Sequence, residues 1–275
     1  MSLDSHIAEH YAGEGLLGAI EVGLQALGKS RESVTVRDLG PVDEFHIGGR
    51  AATAALCERL GFSADSELLD IGSGIGGTAR FLASTIGCRV TGIDLTPNYV
   101  DVARSLSAWT GLSERVVFEV GSALDMPFDD NSFDGATQLH VGMNIPGKEA
   151  LFAEVHRVLR PGGQIGVYDV MRVSEGDITF PVPWASGPST NFVADVATYR
   201  SALEAAGFEI LAEENRAEFA LEFFKALGGR SAEDGPAPFG LQLIIGADTP
   251  QKIGNMVGGI AAGVLAPVEM IARKV

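Results

Sequence analysis

The sequence has little cysteine and little positive charge, and both shortages narrow the function. Two cysteines in 275 residues, Cys57 and Cys88, cannot build the disulfide framework of a secreted scaffold, so we interpret them as buried thiols in a reducing compartment. Lys and Arg number 20 against 36 Asp and Glu, which gives a formal net charge of −16. Nucleic acids and anionic membrane surfaces select clustered Lys and Arg, so we expect neither as a partner.

Long apolar runs and a secretion signal are also missing. The best candidate for a membrane span, residues 253–264, is shorter than the ~20 residues that a bilayer requires. The first ten residues lack the basic and apolar regions of a signal peptide. No His, Cys and Asp cluster has metal-ligand spacing, so we predict no metal. We expect a cytoplasmic monomer or homodimer that acts on a small-molecule substrate.

From Glu67 onward, short apolar runs alternate with helical patterns. Such alternation predicts βαβ units and an α/β fold with a mainly parallel sheet of seven strands, covered by helices on both faces. The predicted strands span residues 67–71, 89–93, 116–120, 133–139, 164–171, 208–212 and 268–272. We divide the chain into an N-terminal helical lid segment (1–66), a core (67–215 and 266–275) and a helical insertion (216–265). Ligands of such sheets bind at the carboxyl ends of the strands.

The strongest motif is Leu68-Leu-Asp-Ile-Gly-Ser-Gly-Ile-Gly-Gly77, which leads a strand through a glycine turn into a helix. Glycine lets the backbone approach a ligand closely, and the helix N-terminus offers free N–H groups. Two cofactor patterns overlap here. The dinucleotide pattern G-x-G-x-x-G uses Gly72, Gly74 and Gly77, and the pattern D-x-G-x-G-x-G uses Asp70, Gly72, Gly74 and Gly76. Both expect an acid about 20 residues further on to bind ribose hydroxyls, and Asp94 fits.

The second pattern resembles motif I of the class I S-adenosylmethionine-dependent methyltransferases. Gly121-Ser-Ala-Leu-Asp-Met-Pro-Phe128 resembles their adenine-binding loop, and Glu154-Val-His-Arg-Val-Leu-Arg-Pro-Gly-Gly163 resembles the helix and turn that follow. Asp43-Glu-Phe-His-Ile-Gly-Gly-Arg-Ala-Ala-Thr53 is similar to a segment of the sarcosine/dimethylglycine and phosphoethanolamine N-methyltransferases. The ubiquinone and menaquinone methyltransferases share the core motifs. The resemblance spans about residues 45–210 and implies a Rossmann-like class I methyltransferase fold with a helical lid.

This resemblance implies S-adenosylmethionine as the cofactor, with S-adenosylhomocysteine as the product. The residues that it places around the cofactor are Gly48, Gly49, Asp70, Gly72, Ser73, Gly74, Gly76, Asp94, Leu95, Ser122, Ala123, Leu124 and Gln138. One departure is Ser122, because many relatives have Asp there to contact the adenine amino group. We therefore expect backbone around Ala123 and Leu124, or Asp125, to contact adenine.

Two histidines are candidate catalytic residues. An amine or phenol must lose a proton when it takes a methyl group, and histidine suits that role near neutral pH. His140 follows the fourth predicted strand and His46 lies in the lid segment; for each, a buried structural histidine is the alternative. The candidate substrate-binding residues are Tyr11, Phe45, Met143, Asn144 and Trp184, whose aromatic members could surround a cationic amine. The phosphoethanolamine enzymes carry a functional histidine about where Asn144 falls.

We therefore predict methyl transfer to a small molecule by in-line displacement, with an amine or amino-acid nitrogen as the leading acceptor. A carbon or oxygen of a quinone or secondary metabolite is the alternative. The overlapping G-x-G-x-x-G pattern leaves an NAD-dependent oxidoreductase open. A protein that binds the cofactor without catalysis is also compatible with the sequence.

Overall fold

The computed structural model describes residues 15–234 and 239–275. The strands are β1 Glu67–Ile71, β2 Arg89–Asp94, β3 Val116–Val120, β4 Phe133–Leu139, β5 Leu159–Arg172, β6 Phe208–Asn215 and β7 Leu265–Lys274. The helices are α1 Leu16–Ala26, α2 Val36–Asp43, α3 Gly49–Leu60, α4 Gly77–Thr85, α5 Pro97–Trp109, α6 Lys148–Val158, α7 Val196–Ala205, α8 Ala217–Asp234, α9 Gln242–Ile245 and α10 Thr249–Ala261. Among these described helices, none is both long and apolar enough to cross a bilayer.

All seven strands form one sheet in the order β3-β2-β1-β4-β5-β7-β6. β7 runs antiparallel to both of its neighbours, and the other pairs are parallel. This arrangement confirms the predicted α/β fold with a seven-stranded, mainly parallel sheet. The strand order reverses between β1 and β4, and a crevice for ligands opens at the carboxyl ends of the strands on either side of such a reversal.

Both faces of the sheet are covered, as strand β1 illustrates. Leu69 and Ile71 point to one face and pack in the cluster that contains Phe152 of α6. Leu68 points to the other face and packs in the cluster that contains Leu82 of α4. A strand buried on both sides explains why the neighbouring positions 68 and 69 of β1 are both apolar instead of alternating with polar residues. The alternation also places Asp70 on the same face as Leu68.

The helices before β1 cover the region where the strand order reverses. α2 begins with a capping box, in which Thr35 and Asp38 exchange side-chain and backbone hydrogen bonds. Leu39 of this helix shares an apolar cluster with Tyr99 of α5 and with Phe239, which precedes α9. Residues far apart in the sequence thus form one layer over the carboxyl ends of β1 and β2.

The chain after α6 departs from the prediction. The sequence predicts a turn at residues 161–163 and a strand from residue 164, whereas β5 begins at Leu159. Phe133 pairs with Leu159 and Gly135 with Gln164, so the extra residues form a bulge in β5. Gly162 adopts φ +81°, which allows the chain to bulge without leaving the sheet.

Candidate active site

A cleft of about 1190 Å³, counted out to its open mouth, lies at the carboxyl ends of β1, β2 and β4. Its walls come from the α2–α3 connection, the β1–α4 glycine turn, the end of β2, the loop after β3 and the loop after β4. Most of the residues that the sequence predicts for the site line this cleft: Phe45, His46, Asp70, Gly72, Ser73, Gly74, Asp94, Leu95, Ser122, Ala123, Leu124, His140 and Asn144. Tyr11 lies outside the described residues.

Three predicted glycines shape the cleft from behind its wall. Gly48, Gly49 and Gly76 do not line the cleft, and they adopt φ values of +88°, +51° and +87°. Gly48 and Gly76 lie immediately before α3 and α4, respectively. These glycines therefore allow the turns that set the direction in which α3 and α4 begin.

Three further predicted residues lie away from the cleft. Gln138 is buried beneath it and donates from Nε2 to Asp169 Oδ2 at 2.7 Å, because the alternation along β4 directs Gln138 and Thr137 to opposite faces. Met143 and Trp184 pack in an apolar cluster with Met256 of α10. The structure thus brings neither Met143 nor Trp184 to the cleft.

The glycine turn leaves its backbone open toward the cleft. Gly72 adopts φ +64°, and a Cβ atom there would lie 2.4 Å from a methyl group of Val141. Gly74 adopts φ +53°, and a Cβ atom there would meet no atom within 4 Å. Gly72 is therefore required by the protein's own packing, whereas the space beside Gly74 is available to a ligand.

Asp94 is fixed at the floor of the cleft by two backbone groups. Its Oδ2 accepts from the Gly74 N–H at 2.8 Å, and its Oδ1 accepts from the Thr96 N–H at 2.9 Å. Burial raises the pKa of Asp94, and these hydrogen bonds partly oppose the rise. The remaining lone pairs of the carboxylate can accept from a ligand's hydroxyl groups.

Asp70 presents a free acceptor atom in the same cleft. Its Oδ1 accepts from the Thr137 hydroxyl at 2.8 Å, while its buried Oδ2 has no hydrogen-bond partner among the described residues. Burial raises the pKa of Asp70 to about 7. The Thr137 hydroxyl and the backbone N–H of Ala79, near the start of α4, oppose the rise, and the charges of Asp94 and Glu44 add to it. A buried oxygen without a partner is costly, so its position fits a ligand that donates a hydrogen bond or carries positive charge.

His46 is held in one tautomer by a short hydrogen-bond chain. The Thr53 hydroxyl donates to Glu44 Oε2 at 3.1 Å, so Thr53 Oγ1 accepts from His46 Nε2, 2.8 Å away. The Gly49 carbonyl oxygen, 3.1 Å from the same Nε2, also only accepts. The proton therefore resides on Nε2, and Nδ1 keeps its lone pair. Burial lowers the pKa of His46 to about 4, which leaves the ring neutral at pH 7.

His140 adopts an unusual backbone conformation for a non-glycine residue, with φ +56°. Its backbone N–H donates to the Tyr168 carbonyl at 2.7 Å, and the two rings lie 5.3 Å apart. Its buried Nε2 has no partner among the described residues. Burial, together with the nearby His46, holds the pKa of His140 well below its usual value. Strained residues that keep an unsatisfied polar atom are typical of functional sites.

The buried carboxylate of Asp169 holds this strained turn in place. Asp169 accepts from the backbone N–H groups of Val141 at 2.8 Å and of Gly142 at 3.1 Å. Tyr199 adds a third donor through its hydroxyl group at 2.9 Å. With Gln138, four donors converge on one carboxylate, which therefore fixes the loop after β4 that carries His140 and Asn144.

Sequence reasoning missed several residues that line the cleft. They are Asp43, Ile75, Thr78, Ile93, Thr96, Tyr99, Gly121, Leu139, Val141, Ile145, Pro146 and Ile244. Asp43 could have been predicted from the sequence, because it is the first residue of the Asp43–Thr53 segment that resembles the N-methyltransferases. Ile244 could not have been, since it belongs to the insertion between β6 and β7, where no motif was recognised.

The charge of the cleft is negative. Asp43, Asp70 and Asp94 line it, and no Lys or Arg is found among its described lining residues. Within the described parts of the chain, no group of His, Cys, Asp and Glu is arranged to hold a metal ion.

Comparison with known proteins agrees with this geometry. Residues 69–167 match the family model described as a methyltransferase domain. The chain is 31% identical to methyltransferase GfsG of Streptomyces halstedii over 177 residues, which are 63% of this chain and 64% of that protein. It is also 31% identical to sterol 24-C-methyltransferase ERG6B of Gibberella zeae over 192 residues, 67% of this chain and 47% of that protein. The chain thus covers less than two thirds of either relative.

Two solved structures show how far the fold extends along the chain. Phosphoethanolamine N-methyltransferase 2 of Haemonchus contortus superimposes with a TM-score of 0.76 at 22% identity, covering 100% of this chain and 60% of that one. The 4+2 cyclase SpnF superimposes with a TM-score of 0.66 at 24% identity, covering 93% and 92%. The match of residues 69–167 to a methyltransferase domain and the fold shared with these solved structures confirm the resemblance found in the sequence.

Proposed function

We propose that the protein transfers a methyl group from S-adenosylmethionine to a small, uncharged and largely apolar acceptor. The observation that carries the proposal is the pairing, in one cleft, of an anchored acid, Asp94, with a glycine turn that is open at Gly74. The matched relatives that are named as methyltransferases support it, as does the phosphoethanolamine enzyme, which was crystallised with S-adenosyl-L-methionine.

The residues present fit this cofactor. Asp94 is placed to accept from the ribose hydroxyls, and the free Oδ2 of Asp70 suits the methionyl ammonium group. The loop that contains Ser122 and Leu124 lines the cleft, where it can enclose adenine. When bound, the cofactor supplies an electrophilic sulfonium methyl group, and the protein's task is to position the acceptor and exclude water.

The sequence favoured an amine or amino-acid nitrogen as the acceptor, and the charge of the cleft favours an uncharged acceptor over the amino acid. Carboxylates and phosphates are usually bound by Arg or Lys, and no described residue of either kind lines the cleft. The wall beyond the glycine turn is apolar instead, with Val141, Ile145, Pro146 and Ile244.

The two neutral histidines of the cleft are suited to an uncharged acceptor that must lose a proton. His46 has a lone pair on Nδ1 and lines the cleft, so it can take a proton from a hydroxyl or phenol as the methyl group transfers. Glu44 Oε2 lies 3.6 Å from Nε2 of the imidazolium that would form. His140, with its free Nε2, is the second candidate for this role.

Cofactor binding without methyl transfer is the second candidate function. It is favoured by one specific observation, the likeness to a 4+2 cyclase across nearly the whole of both chains. The structural similarity lies below 25% identity and concerns the fold, so it leaves the chemistry to be measured.

Two measurements test the proposal. Thermal unfolding with S-adenosylhomocysteine and with NAD should show stabilisation by the first ligand alone, and stabilisation by NAD alone would refute the proposal. Consumption of the methyl donor should then be followed with sterols, phenols and neutral quinols, and with glycine and phosphoethanolamine as charged controls. We expect turnover in the first group only. Binding of S-adenosylhomocysteine without any turnover would favour the second function.

A further inference from the structure

Asp43, the last residue of α2, contributes a second carboxylate to the cleft. Its Oδ1 accepts from Arg80 Nη2 at 2.5 Å, and both side chains are fully buried. Its other oxygen, Oδ2, is buried and has no hydrogen-bond partner among the described residues. Asp43 and Asp70 are both among the residues that line the cleft.

The position of Asp43 is rigidly defined. A Cβ atom on Gly77, the first residue of α4, would lie 2.3 Å from the Asp43 carbonyl oxygen, so α2 rests directly on the start of α4. Arg80 is tied in turn to α5, because its Nη1 lies 3.3 Å from the Ala103 carbonyl oxygen and 3.3 Å from Ser107 Oγ. Burial raises the pKa of Asp43 to about 6; the guanidinium group opposes this rise, but it satisfies one oxygen only.

We infer that Asp43 Oδ2 accepts a hydrogen bond from the α-ammonium group of the bound cofactor, so that the N-terminal segment binds the cofactor directly. The inference rests on the proposed function. An ammonium group has three N–H donors, which is enough to serve both Asp43 and Asp70. This contact gives the unpaired oxygen a partner and makes the seating of α2 on α4 sensitive to the amino-acid end of the ligand.

Two ligands that differ only in that end test the inference by calorimetry. S-adenosylhomocysteine carries the ammonium group, whereas 5′-methylthioadenosine has the same adenosine and sulfur without it. Asp43→Asn should weaken S-adenosylhomocysteine at least tenfold and change methylthioadenosine less than twofold. Decarboxylated S-adenosylhomocysteine keeps the amine and lacks the carboxylate. Asp43→Asn should weaken its binding as much as it weakens the binding of S-adenosylhomocysteine. Asp94→Asn is the matched control and should weaken every ligand, because all contain the ribose.

The affinity for methylthioadenosine also reports whether each variant folds. Should Asp43→Asn lose that affinity as well, Asp43→Glu keeps the charge opposite Arg80 but moves the oxygen atoms, and it should weaken S-adenosylhomocysteine selectively. Equal losses for both ligands in both variants would assign Asp43 a structural role and overturn the inference, as would unchanged affinity for S-adenosylhomocysteine. Failure of the wild-type protein to bind S-adenosylhomocysteine would instead refute the proposed function.

Discussion

The rings of His46 and His140 meet edge to face, with centroids 6.1 Å apart and planes inclined by 65°. One ring comes from the connection between α2 and α3, and the other from the end of β4. Burial lowers the pKa of both rings, so the pair is neutral at pH 7 and carries no mutual repulsion. Both rings line the cleft, so protonation of either would place a positive charge there.

We predict that His46 makes the fold sensitive to acid. Its folded-state pKa of about 4 lies below its usual value of 6.5, so the unfolded chain binds the proton first as the pH falls. The contribution to stability is intact above pH 6.5 and is lost as the pH falls from there toward 4. Between pH 7 and pH 5 the loss amounts to about 2 kcal/mol.

Urea unfolding of the wild-type protein and His46→Gln at the two pH values measures this contribution. The variant should lose about 2 kcal/mol less than the wild-type protein between pH 7 and pH 5. The same comparison at pH 7 and pH 8 serves as the control, because the histidine is neutral in both states there. Identical pH dependence in the two proteins would show that His46 titrates normally in the folded state.

Asp70 should make cofactor binding depend on pH in the same direction, with stronger binding at higher pH. Its pKa of about 7 means that the carboxylate is mostly protonated at pH 6 and mostly ionised at pH 8. Because a ligand ammonium group favours the ionised form, the affinity for S-adenosylhomocysteine should rise about tenfold between these values.

Calorimetry at pH 6, 7 and 8 tests this dependence. Asp70→Asn should bind more weakly at pH 8 and show a shallower dependence, while methylthioadenosine, without the ammonium group, should bind the wild-type protein almost independently of pH. A steep dependence that persists in Asp70→Asn would place the titration elsewhere, with Asp43 as the next candidate, since burial raises its pKa to about 6.

The parts that could be predicted from the sequence are those that depend on local periodicity. The apolar run of β1, its glycine turn and the acid at the end of β2 are set by neighbours in the chain, so the position of Asp94 in the cleft followed from spacing alone. The parts that could not be predicted depend on which elements pack together. Trp184 points into the cluster beneath α10, and its indole N–H donates to Asn191 at 2.8 Å.

Gln138 and Asp43 show the same limit of prediction from sequence: Gln138 was predicted for the cleft and does not line it, whereas Asp43 was not predicted and does. Gln138 follows the expected motif position, yet the two-residue period of β4 turns it away from the cleft and toward Asp169. Asp43 appeared as part of a resemblance, and only its contact with Arg80 of α4 reveals a buried carboxylate with one free oxygen. Neither fact is encoded within a single segment of the chain.

Asp169 should matter for stability more than any of its individual donors. In the wild-type protein, the Asp169 carboxylate accepts hydrogen bonds from N–H and O–H donors. In Asp169→Asn, an NH₂ group replaces one of the two oxygens and cannot accept, so at least one buried donor loses its acceptor. We expect a loss of about 2–3 kcal/mol in the free energy of unfolding. Tyr199→Phe removes one donor and leaves the carboxylate with three, so it should lose only about 1 kcal/mol.

Urea unfolding of both variants decides the comparison. If Tyr199→Phe were as destabilising as Asp169→Asn, the hydroxyl group rather than the loop after β4 would dominate the network. Binding of S-adenosylhomocysteine provides a second readout, and it should weaken in Asp169→Asn because the loop that carries His140 lines the cleft.

Gly72 and Gly74 form a matched pair in which the same substitution should have different effects. Both have positive φ, so alanine is strained at each, at a cost of about 1 kcal/mol. At Gly72 the added methyl group would also lie 2.4 Å from Val141. Gly72→Ala should therefore destabilise the fold by about 3 kcal/mol or more, and Val141→Ala in the same chain should restore part of the loss.

Gly74→Ala should instead affect binding. Its methyl group meets no protein atom within 4 Å and projects into space that the cofactor would use, so the fold should lose only the backbone strain. We expect the affinity for S-adenosylhomocysteine to fall at least tenfold, while the free energy of unfolding falls by about 1 kcal/mol. Calorimetry and urea unfolding on both variants separate the two effects. Full affinity in Gly74→Ala would mean that the ligand does not approach this turn, and the cofactor would then have to bind elsewhere in the cleft.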